Sequence, residues 1–476
     1  MPSPAIVWLR LDLRLADNPA LVAAIKQSGP VIPVFIHDPA AEGHWQPGGA
    51  SNWWLHHALE DLAEQFVKVG SPLVIRSGDS LAELKQLVKE TGATLVTWNR
   101  RHEPLVMARD TQIKSSLRNA GLQAESFNGA MLHEPHLVKT LAGNPFQVFT
   151  PFWKNCLANL KFGVPTTAPK KITPGDKPLK SIAVDKLGLL PKIKWDTQFM
   201  AHWAPTRAGA ERRLKDFVAA PVKDYPTDRD IPELDGTSRL SPYLHFGQIS
   251  PLEIVDAVRT AGKLGTIGGD KYVAEVGWRE FGQHLIHHFP ETTDRPLRRE
   301  FEKFPWQPDK KHLRAWQKGQ TGYPIVDAGM RQLWQTGWQH NRVRMIAASV
   351  LVKHLLQPWQ EGTKWYWDTL VDADLGSNTM GWQWAGGCGA DAAPYFRVFN
   401  PVLQGEKFDP EGDYVRRWVP ELAKLPAEWI HQPWEAPMHV LAEAGIKLGK
   451  DYPVPLIGLT EGRDRALKAL KGMRPE

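Results

Sequence analysis

The sequence predicts an α/β N-terminal domain with a parallel, Rossmann-like sheet, followed by an all-helical C-terminal domain. Two observations carry this. Short apolar runs alternate with amphipathic stretches through residues 1–132. From about Ala208 onward, apolar residues recur at helical spacing and strand-like alternation is rare.

In the first part, Ile6–Arg10, Val31–Ile36, Leu73–Arg76 and Leu95–Asn99 read as buried strands, with Gln123–Phe127 as a final one. Between them Asn18–Lys26, Ser51–Val69, Ser80–Glu90 and Pro104–Asn119 read as helices. Strand–helix alternation implies a parallel sheet with helices on both faces. The turn after the first strand is LRLDLRLADN, so the dinucleotide fingerprint GxGxxG is absent there. Residues 133–205 read as an interdomain linker, because Thr166–Ala204 is Pro- and Lys-rich and weakly periodic. Residues 206–476 form the helical domain.

Composition excludes several classes. At 42% hydrophobic and 23% charged, the 476 residues suit a globular protein with sizeable cores. Two cysteines, Cys156 and Cys388, support neither a disulfide framework nor a zinc site, so no metal is expected and a reducing, cytoplasmic setting fits. MPSPAIVWLR lacks the pattern of a signal peptide. The most apolar segment, Met345–Leu356, is interrupted by Lys353 and His354 and is too short to span a bilayer. The formal net charge of +6 suits a polyanionic partner, although many soluble proteins are slightly basic. The 21 Trp, against 8 Tyr and 17 Phe, suggest planar ligands, bases or electron transfer as well as core filling.

Four segments concentrate chemistry-bearing residues. Asp372 to Trp384 holds two carboxylates (Asp372, Asp374), an amide (Asn378) and two indoles (Trp382, Trp384) between apolar flanks. Buried carboxylates need partners. A helix cap and core indoles explain any one of these residues, but not the whole set. In Trp338–Met345, helical spacing puts Asn341 and Met345 on one face. One of Arg342 and Arg344 can neutralise a buried carboxylate and the other can meet phosphate; the plain alternative is a solvated face. His340 reads as a structural hydrogen-bonder. Glu275, Trp278 and Arg279 share a helix face, where Glu275–Arg279 can be an ordinary solvated pair. The hydroxyl-rich run Thr237, Ser238, Arg239, Leu240, Ser241, preceded by Tyr225 and Arg229, can cap a helix, bind phosphate, or both. GxxxxGK[ST], HExxH and GxSxG are all missing.

Taken in order, VWLRLDLRLADNPAL, TSRLSPYLHFGQIS, WREF, QHNRVRM, DADLGSNTMGWQW and GEKFDPEGDYVRRWVPEL resemble the motifs of the photolyase–cryptochrome family, most closely its bacterial cyclobutane pyrimidine dimer photolyases. The resemblance implies an N-terminal antenna domain and a helical domain that holds FAD between helices, which removes the need for GxGxxG. It implies that Tyr225 and Thr237–Ser241 lie around the flavin phosphates. Arg344 and Asp372 form an ion pair beside the isoalloxazine, Asp374 hydrogen-bonds the ring, and Asn378 accepts a hydrogen bond from N5 of reduced flavin. Trp382, Trp359 and Trp306 match the family's tryptophan electron relay. Glu275 hydrogen-bonds the dimer, as a protonated donor if burial raises its pKa. Asn341 and Met345 line the lesion pocket, and Trp278 and Trp384 pack on the flipped dimer. Arg229, Arg279, Arg342, Arg397 and Gln404 complete the DNA-facing set.

Family members acting on (6-4) lesions carry histidines where this chain has Asn341 and Met345. The implied function is therefore light-driven repair of cyclobutane dimers in UV-damaged DNA, by electron transfer from excited reduced FAD and without net redox. A second chromophore, a methenyltetrahydrofolate or a deazaflavin or flavin, is expected in the N-terminal domain, with Glu103 as a loosely matched contact. A monomer is expected. The rival is a cryptochrome blue-light receptor. Against it stand Asn378, the lesion-pocket residues and the short stretch after Leu422.

Overall fold

A computed structural model describes residues 3–159, 163–392 and 396–473. Five parallel strands, β1 (Ala5–Leu9), β2 (Val31–His37), β3 (Val74–Ser77), β4 (Leu95–Asn99) and β5 (Gln123–Phe127), form one sheet in the order β3-β2-β1-β4-β5. The register sets Ile6 beside Ile32 and Val96. Helices α1 (Pro19–Lys26), α2 (Gly49–Lys68), α3 (Ser80–Thr91) and α4 (Pro104–Asn119) make the crossovers. Asn18 starts α1 by accepting from the Leu21 amide at 3.1 Å, satisfying a donor that the first helical turn leaves unpaired.

Every residue of β1 is buried, as expected of a strand covered on both faces. Ile6 and Trp8 join a core with Ile32, Val34, Val96 and Trp98. Ala5, Val7 and Leu9 point the other way, into a larger core shared with Trp53 and Trp54 of α2 and with Phe217, Tyr243 and Val276 of the helical half. Full burial of such side chains contributes on the order of 3 kcal/mol each, so the two halves are held by one continuous apolar interior. Arg14, 1% exposed, adds a polar clamp. Its guanidinium donates to the carbonyls of Asp17 (2.8 Å), Gly129 (2.5 Å) and Gly247 (2.9 Å).

The strands and helices expected in the first half are present. The segment expected as a linker contains more order than its composition suggests. Helix α5 (Phe149–Asn159) lies inside it, with Phe149, Phe152, Trp153 and Cys156 buried. Further on, Ile172 donates its amide to the Val69 carbonyl at 2.7 Å, and Val31 donates to Thr173 at 2.9 Å, so the chain docks back on the sheet domain. A Pro/Lys-rich composition hides this because the contacts are made by the backbone. Both cysteines are buried and free.

In the helical half, the long helix Ile267–His288 crosses the helix Leu375–Gly386 at two glycines. A Cβ on Gly282 would come within 2.9 Å of the Gly376 carbonyl carbon, and one on Gly376 within 2.7 Å of that of Gly282. Two motifs 94 residues apart in sequence, at positions 282 and 376, therefore meet backbone to backbone. No helix among the described residues is long and apolar enough to cross a membrane.

Candidate cofactor and substrate cleft

Asp372 is 8% exposed and fully partnered. The Arg344 guanidinium approaches both carboxylate oxygens, at 3.1 and 2.8 Å, and the Ser241 hydroxyl donates at 2.6 Å. Arg344 is itself aimed by a 2.8 Å hydrogen bond to the Gln339 carbonyl. Two residues on, Asp374 caps the helix Leu375–Gly386 by accepting from Ser377 N at 2.8 Å, and its other oxygen accepts from Gln283 at 2.7 Å. Asn378, one turn into that helix and 8% exposed, donates its amide to the Thr363 carbonyl at 3.1 Å. That commits its nitrogen and leaves its carbonyl oxygen as an acceptor.

The hydroxyl run is resolved differently from the capping expectation. The short helix Ser241–His245 begins after Leu240, and no side chain caps it. Thr237, Ser238 and Arg239 lie half-exposed before it, and Leu240 is buried. Arg239 adopts a left-handed backbone conformation (φ 50°), pairs with Asp235 at 3.1 Å and lies over Trp338. Tyr225 is buried, its hydroxyl pushed upward by desolvation, with the Arg229 guanidinium over its ring.

A second set adjoins the first. On the helix Ile267–His288, Glu275 is partly buried and pairs with Arg229. Arg229 lies 3.9 Å from Asp230, which holds Arg342 at 2.7 Å. Arg342 also rests over Phe408 and reaches the Met345 sulfur at 3.9 Å. Glu275 is not deeply buried, and its carboxylate has a guanidinium partner. The expected Glu275–Arg279 helix pair is not formed either. Arg279 turns to the sheet domain and donates to the Ala130 carbonyl at 2.8 Å, a contact between the helical half and the sheet domain. Trp278 stacks on Phe149 of α5, with centroids 3.7 Å apart and planes within 9°.

Met345 belongs also to a small cavity with Trp384, Arg397, Phe399, Ser349 and Lys353. Lys353 is 4% exposed, is pushed down to about 7 by desolvation, and donates to the Arg397 carbonyl. Asn341 and Arg397 are exposed; Gln404 is half-buried on the helix Pro401–Phe408, which meets Arg342 through Phe408. His340 is a structural residue: it caps the helix Asn341–Ser349, and desolvation pushes it down to about 3.

Trp382 and Trp359 are buried and Trp306 is half-exposed. The rings packed on Trp382 are Tyr366 (4.9 Å) and Trp316 (6.0 Å). Gly362 faces the Trp382 indole so closely that a Cβ there would overlap it.

The sheet's winding direction reverses between β1 and β4, and open α/β sheets place ligands in the crevice beyond the strand ends at such a point. A cavity of about 210 Å³ occupies it, lined by Leu11 after β1 and by Arg101 and Glu103 after β4. His245, Trp367 and Leu375 close it from the helical half. Desolvation alone would raise the Glu103 carboxyl. The Arg101 guanidinium at 2.8 Å outweighs it and holds Glu103 down to about 2.

Several residues here escaped the sequence reading: Gln283, Gln339, Thr363, Asp230, Lys353 and Phe149. Gln283 had a signal, standing two helical turns after Glu275 on the same face. Thr363 contributes only its backbone carbonyl, which no residue identity can announce.

Residues 5–171 match the family model for DNA photolyase, and residues 272–472 match that for the FAD binding domain of DNA photolyase. Over 99% of this chain and 98% of the relative, the sequence is 48% identical to the deoxyribodipyrimidine photo-lyase of Agrobacterium fabrum. The chain belongs to the DNA photolyase–cryptochrome family. Within that family it is also 40% identical to cryptochrome-1 of Arabidopsis thaliana, over 98% of this chain and 70% of that one. Its fold superimposes on the crystal structure of a bacterial class III photolyase from Agrobacterium tumefaciens with a TM-score of 0.96 (47% identity, 99% and 98% of the two chains covered). An archaeal photolyase from Sulfolobus tokodaii, described with two FAD molecules, gives 0.82 (29% identity, 98% and 100% covered). The family's FAD fits the residues present. Asn378 offers an uncommitted acceptor, the buried Gln283 Oε1 beside Asp374 has no partner among the described residues, and the Arg344–Asp372 pair supplies adjoining fixed charge.

Proposed function

We propose that this chain is a DNA photolyase that splits cyclobutane pyrimidine dimers in UV-damaged DNA under blue light, with FAD as its cofactor. The observation that carries the reading is the junction of two sets of residues. Helices carrying Glu275 and Trp278 on one side and Asn378 and Trp384 on the other cross at Gly282 and Gly376. On this reading the flavin-facing and lesion-facing residues would share one cleft. Bound and reduced, FAD supplies a light-excitable one-electron donor for cleavage of the cyclobutane ring.

The protein's own residues hold the reactants. Asp372, Arg344, Asp374 and Asn378 would hold the flavin ring, with Tyr225 and Thr237 to Ser241 toward its phosphates. The dimer stacks poorly, so extruding it costs only a few kcal/mol. Trp278 and Trp384 would sandwich it, Met345 and Asn341 would line its pocket, and Glu275 would hydrogen-bond it. Arg229, Arg342, Arg397 and Gln404 would meet the backbone. Asn341 and Met345 stand where (6-4) repair requires histidines, which favours the cyclobutane lesion. Trp382, Trp359 and Trp306 would relay electrons toward the cleft from the half-exposed end.

The cavity at the β1–β4 crevice is proposed to hold an antenna chromophore, a folate or a flavin or deazaflavin. It is mostly apolar, Glu103 and Arg101 offer fixed polar groups, and Leu375 lies beside Asp374 of the flavin set. We assign residues 1–132 to this antenna domain, 133–205 to the connection and 206–476 to catalysis. A cytoplasmic monomer is proposed.

The test is illumination of reduced protein with an oligonucleotide carrying one thymine dimer, using wild type and Glu275→Ala. Restored thymines in wild type and a several-fold lower quantum yield in the variant are expected. No restoration in wild type would favour the receptor reading that the cryptochrome relatives represent.

A further inference from the structure

Helix α2 carries His56, His57 and Glu60, none of which lines the crevice cavity. One ligand-capable atom from each of the three lies within 4.8 Å of the others. His56 Nε2 is 3.5 Å from a Glu60 oxygen, and His57 Nδ1 is 3.1 Å from the other. A second carboxylate reaches the same imidazole from the linker: Asp185, in the turn Val184–Leu187, lies 3.6 Å from His56 Nε2.

His57 Nδ1 and Glu60 are at ordinary hydrogen-bond distance, whereas the two separations from His56 Nε2 are long for hydrogen bonds and close to what a metal imposes. Zinc bonds to imidazole nitrogen and carboxylate oxygen measure roughly 2.0–2.1 Å, which places tetrahedral ligand atoms about 3.3 Å apart. His56 is only 3% exposed, and its Nδ1 has no hydrogen-bond partner among the described residues. The spacings i, i+3 and i, i+4 bring the three side chains onto one helical patch. The set contains imidazole and carboxylate without thiolate, which suits Zn²⁺ or a neighbouring first-row ion over Mg²⁺ or Ca²⁺.

We infer that His56, His57 and Glu60 form a site for a divalent transition-metal ion, with Asp185 adding charge from the linker. The bound ion would pin the connecting segment to the sheet domain where Asp185 overlies α2.

Equilibrium dialysis of untagged, chelator-treated protein against Zn²⁺ tests this, with metal quantified by mass spectrometry. The comparison is wild type against His57→Ala and Glu60→Gln, both changed at positions that reach solvent. One more equivalent of Zn²⁺ is expected on wild type than on either variant, with at least about tenfold weaker binding at the altered site. Zn²⁺ should raise the melting temperature of wild type more than that of the variants, and Mg²⁺ should not. Equal Zn²⁺ stoichiometry and equal thermal shifts in all three proteins would overturn the site. Circular dichroism of each variant confirms that it is folded before the comparison is made.

Discussion

Arg229 and Glu275, 46 residues apart, form an ion pair at the cleft, and Arg229 continues through Asp230 to Arg342. Two residues that sequence alone assigns to separate tasks, phosphate binding and lesion recognition, are thereby one electrostatic unit. The side chains of the two arginines are 14% and 20% exposed, so part of each guanidinium reaches solvent.

Arg229→Ala should therefore weaken DNA binding and reduce the slope of log K against log salt by about 1, because each phosphate contact releases condensed counterions. Fluorescence anisotropy between 50 and 200 mM salt (roughly the range over which such slopes are resolved) measures it. Arg279→Ala is the contrast. Its guanidinium serves the Ala130 carbonyl, so it should lower stability and leave the salt slope unchanged. Equal slopes for wild type and Arg229→Ala would remove Arg229 from the DNA interface.

Gly362→Ala should destabilise the protein by about 1–3 kcal/mol, the usual cost of forcing extra volume into a packed interior. The new methyl group would meet the Trp382 indole directly. Because the indole must move, photoreduction of the flavin should slow as well. Urea unfolding and absorbance under blue light read the two effects separately. A variant as stable and as rapidly reduced as wild type would mean that Trp382 is not held by this contact.

The Arg101–Glu103 pair predicts a pH dependence with a defined sign. The Glu103 carboxyl is depressed from the ordinary carboxylate range to about 2 in the folded chain. Its stabilisation is therefore complete above the unfolded value of 4.5 and is lost as pH falls toward 2. Glu103→Gln should cost about 1–3 kcal/mol at neutral pH and progressively less on acidification. Urea midpoints at pH 7 and pH 3 check this, and a gap that does not shrink would rule the ion pair out as its source. The same variant should release whatever chromophore the crevice retains.

Much of the architecture was legible in the residues. The apolar runs at Ile6, Val31 and Leu95 could be buried only as strands covered on both faces, and the 3.6-residue pattern after Ala208 allowed only helices. The motif from Asp372 to Trp384 likewise announced a buried polar cluster, because such a density of carboxylate, amide and indole between apolar flanks demands partners.

Tertiary structure alone decided who those partners are. Sequence could not tell that Ser241 reaches Asp372 across 131 positions, that Arg279 serves the domain interface, or that Glu275 faces Arg229 instead of its helix neighbour. Nor could it reveal the Gly282–Gly376 crossing or the crevice beyond the ends of β1 and β4. The physical reason is the same in each case. Periodicity reports which face of an element is apolar, a property of a few adjacent residues. The direction a charged side chain takes is set by whichever donor or acceptor the fold brings within about 3 Å, and that neighbour lies in another part of the chain.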